Sequence, residues 1–213
     1  MAREIPYIQA LGEAVHQEMA RDESVIYFGQ NLGLTDEDPY VQAFGNDRVR
    51  VTPISETAEI GIAVGAAFAG FRPVVQLYMS EFMLVAMDQV VNEAPRFYGM
   101  SGGEVKVPLV LQAGYGFTAG WAGQHTGTIY GMFMGVPGLK VVVPSTPADA
   151  KGLMTASIRD DNPVVLFHSY LLTLEHGDVP EGEHVVPLGE AVTLREGGDV
   201  TIVGIGWTVG KAL

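Results

Sequence analysis

Short runs of apolar, β-branched residues alternate along the chain with longer segments that have the character of amphipathic helices. The short runs are nearly continuous in apolar residues, as in strands that are buried on both faces of a parallel sheet. They predict six strands, at residues 25–28, 49–52, 73–77, 109–112, 140–143 and 164–167. The longer segments predict four helices, at residues 8–21, 57–69, 81–98 and 147–159. This alternation predicts an α/β fold, a three-layer parallel sheet with helices on both faces.

The pattern changes after Phe167, where mixed charge and the turn residues Gly177, Pro180 and Gly182 are typical of a linker. Residues 192–204 then predict two short strands, and residues 200–205 and 207–213 resemble the first strand and the first helix turns of another core. We therefore predict a main domain at 1–169, a linker and hairpin at 170–198, and the start of an incomplete second α/β domain at 199–213.

Charge and composition argue against several classes of function. Twelve basic side chains stand against 25 acidic ones, so the net charge of −13 disfavours binding to nucleic acids and to anionic membranes. The absence of cysteine excludes disulfides, thiolate catalysis and cysteine-ligated zinc. The charged N-terminus does not resemble a signal peptide, and the apolar stretch at 60–71 is too short for a bilayer span. We expect a cytoplasmic protein.

One segment combines a carboxylate with a helix rich in small residues. Glu56 lies at a predicted strand-to-helix junction. Its presence there has a purely structural explanation, because the helix dipole favours an acidic residue in the first turn. Gly61 and Gly65 follow in the helix interior, although glycine costs a helix about 1 kcal/mol relative to alanine. Their spacing of one turn predicts close packing of this helix against a partner.

The spacing of Glu56, Gly61, Ile62 and Gly65 resembles the glutamate-and-glycine motif of the pyrimidine-binding domain in thiamine diphosphate enzymes. Further segments resemble the β subunit of the E1 component of 2-oxo acid dehydrogenase complexes, and the similarity covers residues 5–213. These segments are Arg72-Pro73 and residues 87–94, 100–103 and 137–145.

This resemblance implies that residues 1–169 form a transketolase-like pyrimidine-binding domain. It also implies an α2β2 heterotetramer with an E1 α subunit, docking to a lipoyl acyltransferase E2 core, and oxidative decarboxylation of a small 2-oxo acid such as pyruvate. Acetoin or branched-chain 2-oxo acid dehydrogenases remain alternatives within this class. A noncatalytic scaffold or fragment of such a subunit also stays open, whereas a mononucleotide-binding module is disfavoured because no glycine-rich phosphate turn follows the first strand.

The resemblance further implies roles for single residues. Glu56 would hydrogen-bond N1′ of the aminopyrimidine ring, and Phe82, Ile54 and Gln124 would contact the cofactor. His125 lies just after the glycine-rich loop 114–123. It would bind the substrate carboxylate or assist acyl transfer to the lipoyl group. For Phe82 the alternative is an ordinary core residue, and for His125 a structural or solvated histidine.

The resemblance also implies where metals bind. A structural K⁺ would be held mainly by main-chain oxygens at one helix end, from Leu109, Ser157, Ile158, Asp160 and Asn162. The alternative is a solvated helix end. The chain lacks the Gly-Asp-Gly motif, followed by asparagine, that holds Mg²⁺ and the diphosphate in this family. We therefore expect the α subunit to supply both.

The chain departs from the family pattern in three places. The chain has His125-Thr126-Gly127 where His-Ser-Gln is usual, and Gln112 where an arginine is common. Gln30-Asn31 replaces an acidic pair. The change beside His125 spares the aminopyrimidine contacts but leaves the identity of the substrate and the details of acyl transfer open. The change at residues 30–31 predicts a different docking of partners.

Overall fold

The computed structural model describes residues 2–30, 38–116 and 121–213. The strands are β1 (Ala2–Pro6), β2 (Val25–Gly29), β3 (Val49–Val51), β4 (Arg72–Leu77), β5 (Val110–Tyr115), β6 (Lys140–Val142), β7 (Val164–Ser169) and β8 (His176–Pro180). Six of them form a parallel sheet in the order β3-β2-β4-β5-β7-β6. All six predicted strands are therefore confirmed.

The helices are α1 (Tyr7–Arg21), α2 (Pro39–Phe44), α3 (Glu56–Phe68), α4 (Ala94–Met100), α5 (Pro147–Arg159) and α6 (Val209–Ala212). They cover both faces of the sheet, because one buried apolar cluster includes α1 and α5 while another includes α3. The predicted three-layer α/β architecture is confirmed. None of the described helices is long and apolar enough to cross a bilayer.

The helix predicted at 147–159 has those bounds in the structure. The hydroxyl of Thr146 accepts a hydrogen bond from the backbone N–H of Asp149, and Pro147 occupies the first helical position. At the other end, the guanidinium of Arg159 donates two hydrogen bonds to the Glu18 carboxylate of α1, at 2.6 and 2.9 Å. This pair joins the two helices that cover one face of the sheet.

The single helix predicted at 81–98 is wrong, because the segment is a 3-10 turn at Ser80–Ala86, a π turn at Gln89–Glu93, and α4. Pro95 has no backbone N–H to bond the carbonyl four residues earlier, at Val91, and its ring crowds that carbonyl. The side chain of Arg96 donates to the Val91 oxygen instead, at 3.2 Å. Proline therefore widens the helix at this point.

The predicted linker contains a strand, because β8 pairs antiparallel with β1. The end of β8 is anchored by Lys151 of α5, whose side chain is fully buried. Its ammonium donates to the carboxylate of Glu13 at 2.7 Å and to the carbonyl oxygens of Pro180 and Gly182 at 2.6 and 2.7 Å. The segment after the main sheet is thus bound to the chain's N-terminal strand.

The strands predicted within 192–205 are not formed. A strand needs a neighbouring edge to satisfy its backbone groups, whereas the side chains of Val200, Ile202 and Val203 are 66% to 85% exposed. The predicted helix start is present as α6, preceded by a 3-10 turn at Gly206–Thr208 whose Trp207 packs on the main core. The division into two domains stays a prediction.

Candidate active site

The candidate residues follow successive strands at the same edge of the sheet. Glu56 follows β3, Phe82 follows β4, and His125 follows β5. In a parallel sheet, the carboxyl ends of the strands meet at one edge, which is where open α/β folds bind ligands. The topology therefore places the predicted catalytic and cofactor-binding side chains at the expected end of the sheet.

Glu56 is the first residue of α3 and is 8% exposed. No described residue donates a hydrogen bond to its carboxyl group. The next residue, Thr57, donates its hydroxyl to the carbonyl oxygen of Val85 at 2.9 Å, and this bond ties the helix start to the 3-10 turn that carries Phe82. A carboxyl group on a largely buried residue, with no donor among the described residues, is suited to hydrogen-bond a ligand.

A second carboxylate, Glu59, lies one helical turn further along α3 and is only 2% exposed. It accepts hydrogen bonds from the amide of Gln30 at 2.8 Å and from the hydroxyl of Thr52 at 2.5 Å. These donors follow β2 and β3, so the network fixes the start of α3, and with it Glu56, against the strand ends. Sequence analysis missed this network, although a carboxylate in an otherwise apolar helix is a signal for it.

The structure brings Phe82 and His125 together. Their ring centroids are 5.2 Å apart and their planes are nearly perpendicular, at 88°, which is the favoured edge-to-face geometry. His125 also lines an open cleft of about 340 Å³ together with Tyr78, Met79 and Trp121. The three other lining residues were not predicted from the sequence, although Tyr78 and Met79 directly follow β4 as ligand-binding residues often do.

The structure does not bring Ile54 and Gln124 into this cleft. Ile54 is 78% exposed, and Gln124 is exposed on the loop just before His125. Residues 117–120 of the predicted glycine-rich loop lie outside the described residues. Contacts of Ile54 or Gln124 with a cofactor therefore stay predictions, and they need a ligand that reaches the surface of this chain.

The outer face of α3 is apolar and exposed. Ala58, Ile62 and Gly65 follow each other at spacings of four and three residues, and so lie on one side of the helix. A β-carbon at Gly65 would meet no atom within 4 Å, whereas one at Gly61 would lie 3.7 Å from the Gln89 side chain of the same chain. Of the two glycines predicted to pack against a partner, only Gly65 faces outward.

The residues predicted to hold K⁺ converge at the C-terminal end of α5. The guanidinium of Arg72 donates to the main-chain oxygens of Ile158 and Asp160, at 3.0 Å each. The Asp160 carboxylate contacts the ammonium of Lys140 and accepts two hydrogen bonds from Asn162, at 2.8 and 2.9 Å. Burial opposes ionisation of Asp160, but these bonds hold its pKa below the ordinary value.

The other two predicted oxygens also have protein donors. Leu109 accepts from the backbone N–H of Val164 at 2.8 Å, and Ser157 accepts from that of Asp160 at 3.3 Å. Each carbonyl oxygen keeps a second lone pair for a cation. The described residues contain no group of three or more His, Asp or Glu side chains that could hold a metal. The potassium site stays a prediction.

Comparison with known proteins identifies the domain. The profile of the transketolase pyrimidine-binding domain matches residues 3–173. The chain belongs to this family. Its fold is also similar to a solved structure described as a split-gene transketolase, an inactive β4 tetramer, with a TM-score of 0.77 and 22% identity over 98% of this chain and 64% of that one.

Curated relatives place the chain in one branch of this family. It is 43% identical, over 100% of its length and 67% of the relative, to the β subunit of acetoin:2,6-dichlorophenolindophenol oxidoreductase from Cupriavidus necator. It is 41% identical, over 92% of its length and 61% of the relative, to the β subunit of the pyruvate dehydrogenase E1 component from Rickettsia felis. The predicted resemblance to E1 β subunits is confirmed.

The chain spans about two thirds of the length of these relatives. The transketolase family depends on thiamine diphosphate, which supports this cofactor for the assembled protein. The names of the relatives describe subunits, so an oligomeric partnership is supported as well.

Proposed function

We propose that this chain is the β subunit of a thiamine diphosphate-dependent E1 component, active only together with an α subunit. The reaction is the oxidative decarboxylation of a 2-oxo acid such as pyruvate, with transfer of the acyl group to the lipoyl group of an E2 core. The observation that carries the proposal is Glu56, a largely buried residue whose carboxyl group takes no hydrogen bond from any described residue, in a domain of the pyrimidine-binding family.

The residues at the sheet edge fit the aminopyrimidine half of such a site. When bound, thiamine diphosphate supplies the carbon nucleophile that attacks the substrate carbonyl. Glu56 would share a proton with the ring nitrogen N1′, and the half-buried ring of Phe82 would pack against the aminopyrimidine. His125 would bind the substrate carboxylate when protonated, or pass a proton when neutral.

The charge distribution supports an α subunit that holds Mg²⁺ and the diphosphate. All arginines and lysines of the sequence lie in the described ranges, and most of them are engaged within the chain. Arg72, Lys140 and Arg159, for example, contact Asp161, Asp160 and Glu18. A diphosphate needs cations or backbone N–H groups around it, so we assign that half of the site to the partner. A structural K⁺ at the end of α5 belongs to the same proposal.

Acetoin is the second candidate substrate, because the relative with 43% identity is named for it. Acetoin is uncharged, whereas a 2-oxo acid brings a carboxylate that needs a cationic partner. Among the described residues that line the cleft, His125 is the only basic side chain. The two substrates therefore differ in how far they depend on protonated His125 or on the α subunit.

The test is co-expression with an α chain that carries the Gly-Asp-Gly motif. Reduction of 2,6-dichlorophenolindophenol is then followed with pyruvate, a branched-chain 2-oxo acid or acetoin. Glu56→Gln should lower turnover about 100-fold or more at saturating cofactor, because a positioned proton donor contributes on the order of 10²–10⁴. Glu104→Gln, at an exposed carboxylate, should leave it unchanged.

Two results would contradict the proposal. Near-wild-type turnover of Glu56→Gln would remove its role in activating the cofactor. An assembled wild-type complex without turnover of any of the three substrates would instead favour the noncatalytic scaffold.

A further inference from the structure

The backbone of Gly127, two residues after His125, is held through both its N–H and its carbonyl oxygen. The carboxylate of Glu81 accepts a hydrogen bond from the backbone N–H of Gly127, and its other oxygen accepts one from the hydroxyl of Ser80 at 3.1 Å. The carbonyl oxygen of Gly127 accepts from the backbone N–H of Gly116, just after β5, at 3.0 Å. The loop is therefore tied to segments that follow two neighbouring strands.

The glycine at position 127 leaves room for the carboxylate of Glu81 beside the main chain. A β-carbon at position 127 would lie 2.6 Å from a carboxylate oxygen of Glu81 and 3.0 Å from its carboxyl carbon. Real β-carbons do not approach other atoms so closely, because interiors are close-packed and overpacking is costly. A side chain at position 127 would therefore displace the Glu81 carboxylate from the backbone N–H of Gly127.

The same contact lies next to the candidate catalytic ring. Glu81 directly precedes Phe82, whose ring meets the ring of His125 edge to face at 5.2 Å. A second ring contact joins Tyr78 and Trp121 at 5.5 Å. The segment after β4 therefore contacts the loop both before His125, at Trp121, and after it, at Gly127. A hydrogen bond to a charged carboxylate is roughly twice as strong as a neutral one. Among these three contacts, only that of Glu81 fixes the main chain.

We propose that Glu81 is a positioning residue for His125, acting through the backbone of Gly127, and that Glu81 and Gly127 are a matched pair. The pairing itself is independent of the reaction. Its catalytic consequence rests on the proposed function, in which the ring of His125 meets the substrate.

The pairing is tested by a double-mutant cycle on the 213-residue chain. Gly127→Ala alone should lower the melting temperature by roughly 2–12 °C, the effect of overpacking in a chain of this size. In the Glu81→Ala background the same substitution should change it by less than about 2 °C, because the collision partner is gone. Equal effects of Gly127→Ala in both backgrounds would overturn the pairing.

The positioning role is tested on His125 itself by NMR. The ring of Phe82 shifts the ring-proton signals of His125, which are assigned with His125→Gln, and Phe82→Leu gives the signal without that shift. Glu81→Ala should move the His125 signal towards the Phe82→Leu position, Glu81→Gln should move it less, and Glu104→Ala should leave it in place. An unmoved His125 signal in Glu81→Ala would overturn the positioning role, even if the variant is less stable.

Hydrogen exchange and kinetics complete the test. Glu81→Ala should speed amide exchange in residues 121–127 about tenfold or more, as expected for loss of a charge-assisted hydrogen bond. In the assembled enzyme, it should change KM and kcat in the same sense as His125→Ala, with partial rescue by Glu81→Gln. Exchange and NMR need no turnover, so an inactive assembly would count against the proposed function while the positioning role is judged on those two readouts.

Discussion

Substitutions at Gly65 separate the stability of this chain from its affinity for a partner. Gly65 lies in the interior of α3 on the exposed face, and an added β-carbon would contact no atom within 4 Å. Because glycine costs a helix interior about 1 kcal/mol relative to alanine, Gly65→Ala should stabilise the isolated chain by about that amount. For a domain of this size, the melting temperature should rise by roughly 2–4 °C.

A larger side chain at the same position should have the opposite effect on assembly. Leucine has nearly the helix propensity of alanine, so Gly65→Leu should also stabilise the isolated chain. If a partner helix packs on this face, however, leucine would force the two backbones apart, at a cost of about 1–3 kcal/mol. We therefore expect Gly65→Leu to weaken binding of the α chain roughly 5- to 150-fold.

Gly61→Ala is the matched control. A β-carbon there would make an ordinary contact, 3.7 Å from the Gln89 side chain within the same chain. Gly61→Ala should therefore raise the melting temperature by a similar amount without weakening assembly.

Melting is followed by circular dichroism, and assembly by titrating the α chain against this chain and measuring mass by light scattering. A lower melting temperature in Gly65→Ala would show that α3 is not helical or not open at this position. Unchanged affinity of Gly65→Leu would show that the outer face of α3 is not the interface.

Two further predictions concern buried polar groups. Lys151→Met keeps the aliphatic volume but leaves Glu13 and the 180–182 carbonyls without their ammonium partner, so it should cost about 3 kcal/mol and lower the melting temperature by roughly 6–12 °C. The control Lys106→Met, at an exposed lysine, should shift the melting temperature by less than about 2 °C. A similarly small shift for Lys151→Met would show that these buried contacts do not stabilise the fold. Burial lowers the pKa of His168 from its ordinary value of 6.5 to about 4. Folding stability should therefore fall as the pH drops from about 6.5 towards 4, and His168→Gln should flatten this slope between pH 6.5 and 4.5 in urea titrations. An unchanged slope in the variant would contradict that assignment.

Local signals in the sequence were sufficient for most of the central sheet and for α5. The strands are buried on both faces and read as apolar runs, and α5 begins with a threonine cap and a proline at its first position. The pairing of β1 with β8 was missed because it joins residues more than 170 positions apart, and both strands are short and polar. The predicted helix at 81–98 failed because periodicity does not register a proline that widens a helix from within.

In the candidate site, too, contacts between residues that are distant in the sequence could not be predicted. The motif around Glu56 is contiguous, so its residues could be predicted before the structure was seen. The partners of that motif come from other strands, as Gln30 and Thr52 do for Glu59, and no spacing rule joins them. Gly127 was noticed only as a departure from the family, and its meaning depends on Glu81, 46 residues earlier. In the fold, the lack of a side chain at Gly127 leaves room for the Glu81 carboxylate to reach the backbone beside His125.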